Sequence, residues 1–205
     1  MRTKDYENEK KQRQKLLNVA WKLFYEKGYQ NTTMEEILRQ AECSKGRFYY
    51  YFHAKAELLD SLYELFDEKY EEFFQKIPEE RNSMEKLLDI NRFMFRFMEK
   101  EIGTELLTSL YISQLSGSTG IVFWGKDRAF RRIITEIVGN GQKNGELRSD
   151  VSCEELVTDI IAEERSQLIS WCLERGRYSL EEISMPRLIR FYTSYMKAAE
   201  GLWKL

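Results

Sequence analysis

The chain has 205 residues, 42% hydrophobic and 32% charged, so it is long enough to bury a sizeable core and has the composition of a globular protein. It contains no apolar run of bilayer length and no apolar signal-peptide centre, which predicts a cytoplasmic protein with no membrane partner. Three distant cysteines and one histidine exclude a disulfide framework and a zinc site, so we expect no metal and no cofactor.

The formal net charge of −2 is unevenly distributed along the chain. Residues 1–55 carry 12 Lys and Arg against 7 Asp and Glu, whereas residues 56–205 carry 20 against 27. A basic segment followed by an acidic remainder indicates that the first quarter of the chain meets a polyanion. A solvated face that is basic by chance would give the same count, so charge alone leaves both interpretations open.

Helical periodicity dominates the chain and predicts an all-α fold. Only two prolines occur, and no long run alternates apolar with polar residues. The first helix is expected from about residue 8 to Lys27, with Gly28 placed to end it. The apolar stripe of this helix is Leu16, Leu17, Ala20 and Phe24.

Two short helices are predicted next. Thr33 and Glu36 form a Thr-x-x-Glu capping box, which would satisfy two amides at a helix start. That helix should end near Ala41, and Ser44 is the N-cap candidate of a second helix through about Tyr51. Two short helices that are joined by a tight turn and packed on a longer one form a helix-turn-helix unit.

The remaining residues are predicted to form a larger helical domain. Helices are expected near 56–77, 83–101, 103–115, 126–144, 153–175 and 180–203, which brings the total to about nine. Ser152-x-x-Glu155 and Ser179-x-x-Glu182 repeat the capping-box pattern at the last two starts. The chain is therefore expected to divide into a three-helix helix-turn-helix domain, residues 1–55, and a second helical domain, residues 56–205.

The stretch TTMEEILRQAECSKGRFYYYFHAKAELL resembles the helix-turn-helix of the TetR family of bacterial transcriptional regulators. The residues in register with the pattern of that family are Thr33, Ile37, Ala41, Ser44, Gly46, Tyr49, Phe52, Lys55 and Leu58. The segment NGQKNGELRSDVSCEEL, residues 140–156, also resembles the stretch before the last two helices of many members. Three positions depart from the family: Glu42 and Cys43 replace a glycine and a valine in the turn, and Tyr51 replaces a histidine. We therefore expect a somewhat different turn.

The resemblance implies that the second short helix reads DNA. Lys45 and Arg47 project from its exposed first turn, the part of a recognition helix that reaches base edges. Arginine pairs bidentately with guanine, so Arg47 is the expected base reader, and Lys45 could contact a base or a phosphate. Gly46 lets the backbone approach DNA closely. Phe48 and Phe52, four residues apart, are expected to face the core.

Other residues of this segment are expected to hold phosphate. Thr33 and Ser44 lie at helix starts, where exposed amides and hydroxyls favour phosphate. Tyr49, Tyr51 and Lys55 are predicted phosphate clamps, which fix register without reading sequence. Lys55 could instead be a solvated residue that opens the next helix, and Tyr50 could simply pack. The predicted DNA-binding set is Thr33, Ser44, Lys45, Gly46, Arg47, Tyr49, Tyr50, Tyr51 and Lys55.

The resemblance also implies that residues 56–205 bind a small-molecule effector and form a homodimer through the last two helices. Apolar faces suited to that contact are Leu156, Ile160, Leu168 and Trp171, followed by Leu188, Phe191, Tyr195 and Leu202. Two recognition helices about 34 Å apart meet successive major grooves, so a palindromic operator is expected. Most members are repressors that a ligand releases from DNA, and we expect the same here, through movement of the helix at 56–77. The sequence does not separate a repressor from an activator.

The effector pocket is predicted from side chains of this second domain: Phe93, Phe97, Tyr111, Phe123, Trp124, Glu164 and Trp171. An aromatic stripe at helical spacing is more often core than a ligand cage. Glu164 lies on an otherwise apolar helix face, where a carboxylate should be paired, exposed by an end of the interface, or aimed at a cationic ligand. Pairing with a neighbouring arginine is the simpler expectation, and contact with a cationic ligand stays open.

Two other classes of function are compatible with parts of the sequence. A helical partner-binding protein that has lost DNA binding would accommodate Glu42 and the acidic second domain. A helical enzyme is disfavoured because the chain has one histidine, no Gly-x-Ser-x-Gly element and no phosphate-binding loop. We therefore expect a protein that is not an enzyme.

Overall fold

A computed structural model describes residues 2–117 and 125–195 of the chain, with side chains from residue 8 onward. The all-α prediction is confirmed, because over these ranges the regular elements are nine α-helices and one π-helical turn. They are α1 (Arg2–Lys27), α2 (Met34–Ala41), α3 (Lys45–Tyr51), α4 (Lys55–Phe74), α5 (Ser83–Phe97), the π turn (Met98–Ile102), α6 (Gly103–Leu115), α7 (Ala129–Lys143), α8 (Cys153–Leu173) and α9 (Leu180–Thr193). Phe123, Trp124 and Leu202 lie outside the described residues. α9 ends at Thr193, so the prediction of one helix from 180 to 203 was wrong.

The helix ends differ from the predicted ones where the apolar pattern carries no information. α1 begins at Arg2, ahead of the predicted residue 8, because its first residues carry no apolar stripe that would mark the start. α4 ends at Phe74, ahead of the predicted residue 77, since proline disfavours helical backbone in the residue before it and Pro78 follows. After α5 the helix widens into the π turn, which Gly103 closes with a φ of 76°.

The described chain belongs to two compact units. The first unit comprises Met1–Leu65 and Glu105–Val122, and the second comprises Phe66–Thr104 and Phe123–Leu205. α1, α2, α3 and the residues of α6 from Glu105 onward therefore belong to the first unit, and α5, α7, α8 and α9 belong to the second. The residues of α4 up to Leu65 are part of the first unit, and the rest of that helix is part of the second.

The first unit has a small apolar core on which the short helices are assembled. Its buried side chains include Leu16, Leu17, Ala20, Leu23, Phe24, Ile37, Ala41, Phe48, Phe52, Leu58, Leu59 and Leu62. Burial of each large apolar side chain favours the fold by about 1.5–3 kcal/mol. The indole Nε1 of Trp21 donates to Oγ of Ser61 at 3.1 Å, and this bond connects α1 to α4.

The second unit packs α5 and α8 each against both α7 and α9. Two of its helices begin with complete capping boxes. The Ser152 and Glu155 box at the start of α8 is confirmed, and Asn82 with Glu85 forms the same arrangement at the start of α5. The second box was missed, although Asn-x-x-Glu has the same spacing as Ser-x-x-Glu.

The start of α9 is stabilised differently from the starts of α5 and α8. The hydroxyl of Ser179 accepts the amide of Glu182, as the capping pattern predicts. The amide of Leu180, however, donates to the carboxylate of Glu99 at 2.9 Å, and Glu99 lies in the π turn. The first turn of α9 is therefore bound from a distant element as well as by its own cap.

Candidate nucleic-acid interface and effector region

The turn between α2 and α3 accommodates a glutamate at a left-handed position. Glu42 has φ 52° and ψ 43°, its amide donates to the carbonyl of Arg39, and the amide of Cys43 donates to the carbonyl of Leu38 at 2.9 Å. These two bonds form the Schellman arrangement that usually has glycine at this position. Nζ of Lys15 lies 2.6 Å from Oε2 of Glu42, and this contact holds the pKa of the carboxyl below its usual range. The turn therefore has the regular Schellman geometry, in contrast to the somewhat different turn that the replacement of glycine by Glu42 predicted, and no local sequence signal indicated the contact with Lys15.

α3 buries two rings and is capped by a hydroxyl. Oγ of Ser44 accepts the amide of Arg47 at 3.2 Å, which confirms the predicted N-cap. Phe48 and Phe52 are buried with ring centroids 5.6 Å apart, so their predicted place in the core is confirmed. These contacts leave the opposite side of α3 outside the core.

The outward side of α3 carries most of the predicted DNA-binding residues. Lys45 and Arg47 are exposed, and Tyr49 and Tyr50 keep 48% and 68% of their surface accessible. Tyr50 therefore does not pack into the core. A Cβ placed on Gly46 would meet no described atom within 4 Å, so the backbone there faces open space.

Arg47 and Tyr51 lie one helical turn apart on this surface. Nη2 of Arg47 is 3.5 Å from the hydroxyl of Tyr51, and this contact raises the pKa of the guanidinium. Tyr51 is half-buried, so its hydroxyl is positioned to orient Arg47. The tyrosine that replaces the family's histidine thus meets a predicted base reader.

Thr33 forms only part of the predicted capping box. Its hydroxyl accepts the amide of Glu36 at 3.2 Å at the start of α2. The carboxylate of Glu36 forms an ion pair with Lys27 of α1. The box is therefore replaced by a cap and an ion pair between helices, and Thr33 itself remains exposed.

Lys55, a predicted phosphate clamp, has hydrogen-bond partners within the first unit. Its Nζ donates to the carbonyl oxygens of Tyr29 at 2.8 Å and Thr32 at 2.9 Å, and it lies 4.3 Å from the centroid of the Tyr29 ring. Burial lowers the pKa of this ammonium. The side chain faces the connection between α1 and α2, because carbonyl groups converge there, and not the outer face of α3.

The predicted effector residues do not form one group. Tyr111 belongs to the first unit, whereas Phe93, Phe97, Glu164 and Trp171 belong to the second. Trp171 is buried, and its Nε1 donates to the carbonyl of Tyr178 at 3.0 Å, so its contacts are those of a core residue.

Phe93 and Phe97 are part of an aromatic cluster in the second unit. Phe93 stacks on Phe73 with centroids 4.3 Å apart and on Phe97 with centroids 6.0 Å apart. Phe66 meets Phe97 edge to face at 5.8 Å. Phe73 and Phe93 are half-buried, so this cluster keeps some accessible surface.

Glu164 is fully buried and its partners are not arginines. The hydroxyl of Tyr192 donates to Oε1 of Glu164 at 2.9 Å, and Nδ2 of Asn91 donates to that hydroxyl at 2.8 Å. Burial raises the pKa of Glu164 to about 8, against the opposing effect of hydrogen bonds from Asn91 and Tyr192. The expectation of an arginine partner was wrong, because α5 and α9 bring neutral hydrogen-bonding groups to this position.

A surface cavity of about 220 Å³ lies elsewhere in the second unit. Residues that line it include Glu79, Arg81, Lys86, Glu136, Asn140 and Glu146. None of the predicted effector residues that the structure describes lines this cavity. Its lining is mainly polar, in contrast to the aromatic cluster.

The predicted dimer contacts need correction. Leu156, Ile160, Leu168, Trp171 and Leu188 are buried within the single chain, because their helix faces pack against neighbouring helices. The apolar side chains that α8 and α9 leave exposed are Ile169, Leu173, Ile183 and Ile189. Phe191 and Tyr195 are half-buried, with ring centroids 5.0 Å apart.

Neither a membrane-spanning helix nor a group of three potential metal ligands occurs within residues 2–117 and 125–195. The arrangement of α2 and α3, with a buried inner face and an exposed basic and aromatic outer face, defines a helix-turn-helix protein with a second helical unit. Residues 16–62 match the family model described as bacterial regulatory proteins, tetR family. The match covers the helix-turn-helix segment of the chain.

Known proteins resemble the chain over different lengths. The transcriptional regulator QacR of Staphylococcus aureus is 39% identical over 62 residues, 30% of this chain and 33% of QacR. A TetR-family transcriptional regulator from Pectobacterium atrosepticum superposes with a TM-score of 0.73 at 18% identity, covering 92% of this chain and 96% of its own. Thermus thermophilus FadR, a TetR-family repressor in complex with lauroyl-CoA, superposes with a TM-score of 0.72 at 22% identity. The superposition covers 94% of this chain and 97% of FadR. The first curated relatives are matched over only about a fifth to a third of their length.

Proposed function

We propose that this protein is a transcriptional repressor that binds a palindromic operator and leaves it when a small molecule binds the second unit. The observation that carries the proposal is the exposure of Lys45, Arg47, Tyr49 and Tyr50 on α3, opposite buried Phe48. A helix held in this way can enter the major groove without loss of core contacts. The regulator would act in the cytoplasm and would have no catalytic role.

Each exposed residue has a proposed task. Arg47 reads a guanine edge, and Tyr51 holds its guanidinium in place. Lys45 and the hydroxyls of Tyr49 and Tyr50 bind phosphate or base edges beside it. Gly46 lets the backbone come close to the duplex, and the caps Thr33 and Ser44 place helix starts at the phosphates.

The effector is proposed to be a molecule with a large apolar part, bound in the second unit beside Phe73, Phe93 and Phe97. The partly accessible aromatic cluster supports this choice, because stacked rings offer an apolar surface. The complex of the structurally similar FadR with lauroyl-CoA also supports it. Glu164 remains a candidate contact for a ligand that carries a donor group, and Tyr111, Trp171, Phe123 and Trp124 remain weaker candidates.

The homodimer is proposed to form through the exposed faces of α8 and α9. Ile169 and Leu173 are four residues apart, so they lie on one face of α8. Ile183 and Ile189 add apolar surface on α9. Pairing of these faces would remove exposed aliphatic groups from water and provide the two recognition helices that a palindrome requires.

The release mechanism is proposed to be a shift between two conformations. The effector would bind one conformation more tightly and so lower the population that binds DNA. α4 is the element through which we expect the shift to act, because its first half belongs to the unit with α3 and its second half to the other.

DNA binding is tested with duplexes that the purified protein selects from a random-sequence pool. We expect Arg47→Ala to weaken binding to the selected duplex by about tenfold or more and Tyr49→Phe to weaken it less. Lys22→Ala is the matched control, since Lys22 is an exposed α1 lysine outside the predicted DNA-binding set, beside Glu26. Undiminished binding by both Arg47→Ala and Tyr49→Phe would remove this site assignment.

The effector proposal is tested by native mass spectrometry of the purified protein and by adding lauroyl-CoA to the protein–duplex complex. We expect micromolar release of the duplex by an apolar ligand and weaker release from Phe93→Ala. Release that is unaffected by Phe93→Ala would place the effector away from the aromatic cluster.

A further inference from the structure

The turn before α3 places a negative charge beside the proposed DNA-binding surface. Glu42 lies two residues before the Ser44 cap of α3, and 81% of its side-chain surface is accessible. The hydrogen bond from Lys15 lowers the pKa of the Glu42 carboxyl, so this group is ionised at neutral pH. The start of α3 is proposed to approach phosphate, which carries the same sign of charge. A carboxylate without a cationic partner at this position would therefore oppose DNA binding.

Lys15 of α1 neutralises this carboxylate. Its Nζ is 2.6 Å from Oε2 of Glu42, and 44% of the lysine side chain is accessible. Burial raises the pKa of the neighbouring Cys43 thiol, and the positive charges of Arg47 and Lys15 oppose that rise. Lys15 therefore lies among the groups that border the start of α3, although it is 27 positions away from Glu42 in the sequence.

The pairing determines how much charge this edge of the helix-turn-helix offers to DNA. An accessible lysine beside a phosphate-binding helix start can neutralise a phosphate and release a counterion. While Lys15 is bound to Glu42, the two charges sum to zero. Exposed ion pairs contribute little to folding stability, so a change of either partner should alter the surface charge more than the fold.

We propose that Glu42 limits the DNA affinity of this protein, because it holds the ammonium of Lys15 in a neutral pair at the edge of the helix-turn-helix and so keeps it from a phosphate. The inference rests on the DNA-binding function proposed above, and it concerns two residues outside the predicted DNA-binding set. A limited affinity suits a protein that an effector releases, since the effector has to overcome the free energy of DNA binding.

The experiment varies the charge of this pair while it keeps the size of the side chains. Glu42→Gln leaves the pair with one positive charge, and Lys15→Met leaves it with one negative charge. The double variant Lys15→Met/Glu42→Gln has no net charge there, as in the wild type. Kd for the duplex that the wild type selects is measured over a series of salt concentrations, at a temperature where every variant is folded.

A second lysine–glutamate pair provides the matched control. Nζ of Lys69 lies 2.9 Å from Oε2 of Glu72 on the part of α4 that belongs to the second unit, with 39% and 56% of the side-chain surfaces accessible. The hydrogen bond from Lys69 lowers the pKa of the Glu72 carboxyl, as Lys15 does for Glu42. Glu72→Gln and Lys69→Met change the net charge of the protein by the same amounts, so they separate a local effect from one of total charge.

We expect Glu42→Gln to raise the affinity by about tenfold and to steepen the slope of log affinity against log salt by about 0.9 per protomer, because Lys15 becomes available to a phosphate. Lys15→Met should weaken binding by about threefold, since it leaves an unpaired carboxylate near the phosphates. The double variant should bind within about twofold of the wild type, because the two changes are coupled. Glu72→Gln and Lys69→Met should each change Kd by less than about twofold.

Four results would overturn the proposal. Unchanged or weaker binding by Glu42→Gln would show that the carboxylate does not limit affinity. A gain that persists in the double variant, or that leaves the salt slope unchanged, would remove the role of Lys15. Equal gains from Glu42→Gln and Glu72→Gln would assign the effect to total charge. Failure of the wild type to bind any selected duplex would instead reject the DNA-binding function, and with it the inference.

Discussion

The hydroxyl of Tyr192 donates to the carboxylate of Glu164 at 2.9 Å, and both side chains are fully buried where α8 and α9 pack. Burial disfavours the charged form of the Glu164 carboxyl, and this effect is larger than the stabilisation of that form by hydrogen bonds from Asn91 and Tyr192. The pKa of Glu164 therefore rises to about 8. Nearby Glu163 disfavours ionisation further. Glu164 is therefore mainly protonated in the folded protein at neutral pH.

The protonation of Glu164 predicts a pH-dependent stability. Between the ordinary carboxyl pKa and about 8, the folded state binds a proton that the unfolded state has lost, so the free energy of unfolding falls as pH rises through that window. Glu164→Gln keeps the shape without the charge and should be more stable than the wild type at pH 8, by about 2 kcal/mol or more. Urea unfolding of both proteins from pH 5 to 9 measures the difference. If the wild type and the variant differed in free energy of unfolding by the same amount at every pH, the raised pKa of Glu164 would be contradicted.

The last turn of α7 contains two glycines that should respond oppositely to alanine. A Cβ on Gly141 would lie 2.6 Å from Oγ of Ser83 and 2.7 Å from Cδ1 of Leu147, whereas one on Gly139 would meet only Sγ of Cys153 at 3.9 Å. Gly141→Ala should destabilise the protein by about 1–3 kcal/mol through overpacking. Gly139→Ala should stabilise it by about 0.5–1 kcal/mol through helix propensity. Chemical unfolding of the pair is the measurement, and equal effects would argue against the packing at Gly141.

The left-handed conformation of Glu42 predicts the effect of two substitutions in the turn. Glu42→Gly removes the unfavourable contact of Cβ with the backbone and should raise the melting temperature by about 2–4 °C, although the ion pair with Lys15 is lost. Glu42→Val should lower the melting temperature, since a β-branched residue fits this conformation poorly. Differential scanning calorimetry checks both. A higher melting temperature for the valine variant than for the wild type would show that the turn has another conformation.

The exposed aliphatic residues of α8 predict how the dimer can be disrupted. Leu173 is 78% exposed in the single chain, and Leu173→Glu should shift the protein toward monomers and weaken operator binding. Leu115→Glu is the matched control, because Leu115 is 87% exposed on α6 and outside the proposed interface. Light scattering after gel filtration gives the oligomeric state. Dimers that persist in Leu173→Glu at low micromolar concentration would exclude this face.

Most of the helices could be predicted from the sequence because their signals are local. The stripe from Leu16 to Phe24, the capping residue Ser44 and the box at Ser152 each depend on residues three or four positions apart. The burial of Phe48 and Phe52 follows from the same spacing. The match of residues 16–62 to a family model agrees with the resemblance of this segment.

The tertiary structure decided which partner each polar group would meet. Lys55 is separated from Tyr29 by 26 positions and from Thr32 by 23, and Glu164 is separated from Tyr192 by 28. Helical periodicity shows which face of a helix is apolar but not which element covers it, so Leu156 and Leu188 looked available for a dimer although the chain buries them itself. The sequence by itself determined the helices and the outward side of α3. Only the packing of distant helices, which is set by long-range burial rather than local spacing, decided that Lys55 binds the carbonyls of Tyr29 and Thr32 and that Glu164 binds Tyr192.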